Sequence, residues 1–138
     1  ANISIISEYS VVGDCEDGKS LYLVGVKLYF GRTDGCGHTN HHKFSILDVA
    51  NASSVSNLGS TNIGADVNGI GVRDHLAFLG TTDSNKEFQA WNISNPSNIT
   101  LVSSFNFPQV ATGIDYEDNL VYVAVRSNDA LRIITTSQ

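Results

Sequence analysis

The chain has 138 residues, 41% hydrophobic and 16% charged, with 14 acidic against 8 basic side chains and a formal charge of -6. That is enough apolar material for one packed domain, and it excludes a disordered chain. Lys and Arg are sparse and unclustered, which speaks against a phosphate backbone as partner, so nucleic-acid binding is not expected. No apolar run approaches the roughly 18 residues of a membrane span, so membrane insertion of the mature chain is not expected either.

The first residue is Ala1 where an untrimmed chain has Met, as a processed mature end or a cut piece would leave. Residues 1–9 alternate apolar and polar side chains, which predicts a strand with Ile3 and Ile5 on one face and Ile6 beside them. Next come Cys15 and Cys36, both in Gly/Asp-rich segments where loops are expected. In a secreted chain they would form one bridge closing a loop of about twenty residues, worth ~3 kcal/mol through the unfolded state. In a reducing compartment they would be two free thiols.

Strand signals then dominate. Runs of Val, Ile, Leu, Tyr and Phe predict strands over 20–24, 27–31, 44–49, 76–80, 88–93, 101–107, 120–125 and 131–135, separated by Gly, Asn, Asp and Ser. No window keeps apolar residues at i, i+3, i+4 and i+7 over three turns, so little or no helix is expected. Val72-Arg73-Asp74-His75 and Tyr116-Glu117-Asp118-Asn119 have the chemistry of two-residue hairpins. Pro96, in Ser94-Asn95-Pro96-Ser97-Asn98, halts a strand because it cannot donate to a ladder.

The runs repeat. Leu28-Tyr29-Phe30, Leu76-Ala77-Phe78 and Leu120-Val121-Tyr122 each open a unit that continues to Phe44, Phe88 and Leu131, spaced 44 and 43 positions apart. Thr33-Asp34 and Thr82-Asp83 fall at matching places within the first two units. The implied division is a single domain, 1–138, with repeats at 20–64, 65–110 and a partial one at 111–138, preceded by residues 1–9. Four antiparallel strands per 40–50 residues is the stoichiometry of a propeller blade. The expected fold is therefore all-β, an antiparallel propeller-like array of about three blades.

The segment from Glu87 to Phe105, with Trp91-Asn92-Ile93-Ser94-Asn95-Pro96 at its centre, resembles the LVIVD-type repeat of prokaryotic surface proteins. Phe44 through Gly59 is a weaker copy without the proline, and Leu131-Arg132-Ile133-Ile134 begins a third. The resemblance implies blades in an exported or surface-attached protein of cell surfaces or appendages, often linked to adhesion.

Three repeats leave the array open, whereas propellers normally close with at least four blades, and unpaired sheet edges are aggregation templates. The chain is then a fragment of a larger propeller, or its sheets pack as a sandwich, or another copy covers the edges. Residues 1–9 either finish the last blade beside 131–135 or pair with a neighbouring subunit by β-strand addition. Head-to-tail contacts of that kind propagate into filaments when they do not close.

Chemistry-bearing constellations are few. Cys36-Gly37-His38-Thr39-Asn40-His41-His42 is the one transition-metal candidate, its thiolate and histidines able to meet tetrahedral zinc geometry, and His38, His41 and His42 sit in a loop longer than its repeat counterparts. An exposed loop with surplus His is the commoner meaning of such a run. Asp34, Asp83, Asn128 and Asp129 would share one rim and hold calcium, or serve as solvated turn residues. Trp91 reads as core or as a sugar-stacking platform.

No nucleophile elbow, metalloprotease helix, phosphate-cradling loop or cofactor fingerprint is present, so neither enzymatic activity nor a cofactor is expected. Sequons at Asn2, Asn51, Asn92 and Asn98 agree with export in a glycosylating source. The sequence thus predicts an extracellular structural or adhesive subunit whose partners are copies of itself. The competing class is a surface binding module that contacts a glycan or protein through its loop rim.

Overall fold

Three tight turns set the hairpins. Gly25, Asp74 and the pair Asp118–Asn119 all have positive φ (58°, 51°, 49° and 65°). That is the left-handed backbone which two-residue hairpin turns require, and Gly, Asp and Asn tolerate it best. The structure, a computed structural model, describes residues 2–11, 15–37 and 41–135. Among these there are eleven strands and no helix. They are β1 (Glu16–Val24), β2 (Lys27–Asp34), β3 (Phe44–Asp48), β4 (Ser56–Thr61), β5 (Val67–Arg73), β6 (Leu76–Thr81), β7 (Phe88–Asn92), β8 (Thr100–Phe105), β9 (Ala111–Glu117), β10 (Leu120–Val125) and β11 (Leu131–Thr135).

The strands form three antiparallel sheets in chain order: β1-β2-β3-β4, β5-β6-β7-β8 and β9-β10-β11. The eight strand runs predicted from residue 20 onward are present within a residue or two, except that β1 and β2 run further, so the first hairpin is nine and eight residues long. The second sheet lies between the other two and packs on both through its first strand, β5 against β1 and against β9. Gly69 in β5 is required there, because a Cβ would stand 2.9 Å from the Cα of Gly113 in β9.

Two apolar cores result, one on each face of the central sheet. The first joins Tyr29, Phe44 and Ile46 to Val67, Ile70, Val72, Ala77, Leu79, Trp91 and Ile93. The second joins Phe78, Phe88, Ala90 and Phe107 to Ala111, Val121, Val123 and Val125. Trp91 is buried in the first core, where its indole N–H donates to Gln89 Oε1 at 2.9 Å. It therefore packs and does not present a face to solvent.

Register corrects one part of the repeat alignment. Tyr29 pairs with Ile46 and Gly31 with Phe44, while Phe78 pairs with Ala90 and Gly80 with Phe88. Tyr29 stacks on Phe44 at 6.4 Å between centroids, as Phe78 stacks on Phe88 at 6.0 Å. The structural counterpart of Phe78 is thus Tyr29, one position before Phe30. The longer β2–β3 loop absorbs the offset, and a one-residue slip would have turned each side chain to the wrong face.

Residues 2–11 adopt no strand. They lie along the first sheet, where Ser7 Oγ donates to the Ala52 carbonyl and Asn57 Nδ2 donates to Tyr9 Oη at 3.2 Å. Within one molecule they do not finish the last sheet beside β11, as one of the two expectations had it.

Candidate functional site: a stapled polar cluster and open sheet faces

Cys15 and Cys36 are bonded, with a Cα–Cα distance of 5.7 Å, so the start of β1 is clamped to the turn after β2. The Gly35 N–H donates to the Cys15 carbonyl at 2.9 Å beside the bridge. A disulfide here is compatible with an oxidising compartment.

A charged cluster lies next to it. The Arg32 guanidinium donates to Glu16, and both side chains are almost wholly buried. His41 Nδ1 lies 2.8 Å from the other Glu16 oxygen, Oε1. Lys43 Nζ lies 3.1 Å from Asp66 Oδ1 and 3.4 Å from Asp34 Oδ2. Asp66 also accepts from Thr33 Oγ1 at 2.6 Å and from the Asp34 backbone N–H at 3.0 Å. Burial by itself pushes the Asp66 carboxyl up, but the Thr33 hydroxyl, the Asp34 N–H and the Lys43 ammonium together hold it below its ordinary value. Asp66 precedes β5, so these bonds tie the first sheet to the central one.

This arrangement bears on the metal candidates. Cys36 is consumed by the disulfide, His41 faces Glu16, His42 is exposed, and His38 lies outside the described residues. Among the described residues no group of three or more His, Cys, Asp or Glu is placed to hold a metal ion. The acidic rim does not converge either. Asp34 faces Lys43, Asp83 Oδ1 caps its own turn by accepting from the Asn85 N–H at 2.8 Å, and Asp129 pairs with Arg132 at 3.0 Å. Asp34 is no solvated turn residue: its side chain is 2% exposed.

The sequence reading also missed Glu87, which is buried and whose Oε2 accepts the Phe107 N–H at 2.8 Å. The available signal was placement. Arg32, Lys43 and Glu87 each stand in or beside an apolar strand run, where a charge must find a partner.

The sequon asparagines fall on the surface at Asn2, Asn51 and Asn98, while Asn92, in β7, is half-buried with its Oδ1 accepting the Ser94 N–H at 2.9 Å.

The other candidate site is formed by what the stack leaves uncovered. In the third sheet Ala124 pairs with Leu131 and Tyr122 with Ile133, matching Gly80–Phe88 and Phe78–Ala90 in the second and Gly31–Phe44 and Tyr29–Ile46 in the first. The first two sets are buried against a neighbouring sheet, whereas Leu131 and Ile133 are 59% and 57% exposed. The first sheet is open on its opposite face. Leu21 and Leu23 sit where the central sheet has Ile70 and Val72, and they too are exposed. Ile3, Ile5 and Ile6 add further exposed apolar surface.

The chain matches no model of a known protein family and no curated protein. It is similar in fold to two computationally designed proteins of known crystal structure. Ika8 matches over 86% of this chain with a TM-score of 0.55 and 10% identity, and Ika4 over 93% with a TM-score of 0.52 and 12% identity. The chain spans 45% of the length of Ika8 and 96% of that of Ika4. At such identities the likeness concerns the fold alone.

Proposed function

We propose that this chain is a non-enzymatic, extracellular structural or adhesive subunit, whose sheets stack as propeller-like blades and which assembles with copies of itself into a surface filament or layer. The observation that carries the reading is the third sheet. It repeats, in the open, the apolar positions that the first two sheets bury against a neighbour. Exposed apolar surface organised in this way marks an interaction site. The first sheet offers the complementary face, so the contact between copies is head-to-tail and propagates unless it closes. The disulfide and the resemblance of Glu87–Phe105 to surface-protein repeats support the extracellular setting.

Sedimentation of the full chain across a concentration series tests the proposal. Particles heavier than the 14.8 kDa chain are expected, and Ile133→Asp, which places a charge in the open face, should return them toward the single chain. One 14.8 kDa species up to the highest soluble concentration would overturn it.

A further inference from the structure

The third sheet has three strands where its companions have four, and among the described residues nothing pairs with the outer edge of β11. Beside that edge lies a cavity of about 350 Å³, lined by Phe105, Phe107 and Pro108 of the central sheet's margin and by Arg132, Ile133 and Ile134 of β11. The sequence contains a segment with the character of an outer strand that no sheet uses. Ile3-Ser4-Ile5-Ile6-Ser7-Glu8-Tyr9 follows Ile99-Thr100-Leu101-Val102-Ser103-Ser104-Phe105 in residue type at each position but one, Glu8 standing where the other has Ser104, and the latter contains β8, the outer strand of the central sheet.

From these we infer that residues Ile3–Tyr9 form the fourth strand of the third sheet in a second copy of this chain. The inference rests on the self-assembly reading and specifies its contact.

The register follows from β7 and β8, where Phe88 faces Phe105, Gln89 faces Ser104, Ala90 faces Ser103 and, after a bulge, Trp91 faces Leu101. The first sheet pairs β3 with β4 in the same way, with its bulge between Ile46 and Leu47. Carried to β11, this sets Leu131 against Tyr9, Arg132 against Glu8, Ile133 against Ser7 and Ile134 against Ile5, with Ile6 in the bulge. Two features of this placement favour it. Arg132 meets a carboxylate at the site where the first sheet has the Ser45–Ser60 hydroxyl pair and the central sheet has Gln89 opposite Ser104. In this structure its Nε is buried without a hydrogen-bond partner, and among the described residues it pairs with the exposed Asp129. Ile5 and Glu8, on the same side as Ile134 and Arg132, point toward the cavity.

The partner is another copy because, within one molecule, residues 2–11 lie along the first sheet and the central sheet stands between them and β11. Exchange of a strand this way supplies a ladder of backbone bonds to an edge that lacks one.

Two full-length single variants, Ser7→Cys and Ile133→Cys, are oxidised as a mixture and each alone, because either variant can also link to its own kind. The expected result is a dimer band under non-reducing conditions that is much stronger from the mixture than from either variant alone. In parallel, Glu8→Arg or Arg132→Glu alone should weaken self-association roughly fivefold or more, and combining the two should restore it. Assembly that persists without the cross-link, and that survives deletion of residues 2–9, would overturn the strand placement and leave face-to-face stacking standing. It would assign the β11 edge to another occupant, such as polypeptide following residue 138. A chain that never associates would overturn both readings.

Discussion

The two flanking sheets pack on the same central sheet but are secured differently. The first adds to its apolar core a disulfide and the Glu16–Arg32 and Lys43–Asp66 pairs. The third has a core of mostly small side chains, Ala111, Val121, Val123 and Val125, and neither staple nor buried ion pair among the described residues. Its β11 alternates exposed and half-buried residues, whereas β3 and β7 are buried almost throughout. One end of the stack is stapled covalently and the other is not. The third sheet is therefore expected to open before the first.

The largest effect that would test the contrast is in the central sheet. Leu79 is fully buried, and Leu79→Ala should cost about 2–5 kcal/mol in urea unfolding, from lost transfer energy plus a cavity. Leu131→Ala, at dilutions where the chain is single, should cost under about 0.5 kcal/mol, since an exposed side chain far from special features contributes little. Equal costs would erase the distinction between covered and uncovered sheets.

Next in size is the staple. Replacing Cys15 and Cys36 by Ser should cost about 3 kcal/mol. Hydrogen exchange should quicken in β1 and β2 with little change in β9–β11, and uniform quickening would show that the bridge does not act locally.

The smallest effect is electrostatic. The Asp66 carboxyl titrates below the 3.8 of a free group. Its contribution is therefore complete above the unfolded value and lost as pH falls through the lower folded one. Asp66→Asn should lower the unfolding midpoint at neutral pH and flatten its decline in acid; an unchanged acid limb would remove Asp66 from the pH response.

Much of the fold was legible because strands leave a local trace. Leu120–Val125 and Leu131–Thr135 have the predicted bounds, and Asp74-His75 and Asp118-Asn119 are the turn residues the sequence marks. The bridge was legible as one of two alternatives. The Tyr29/Phe78 correspondence was not, since Phe30 and Phe78 are both aromatic and only register tells which face each occupies. Nor was the polar cluster, because Glu16, Arg32, Lys43 and Asp66 meet only once four segments have been brought together. Local pattern records which way a side chain points along its own strand but not which charge awaits it on another. For the same reason Ile3–Ile6 could be read as strand-forming without revealing that, alone, they lie unpaired along the first sheet.

The Cys15–Cys36 bridge has a mechanical meaning as well. If residues 2–9 are held by a neighbour, tension along the assembly enters the chain just ahead of Cys15 and passes through the sulfurs to Cys36. The long hairpin between them carries no load. A pulled subunit would yield elsewhere first, at its weakest non-covalent seam, while the loop that joins it to the next link stays shut.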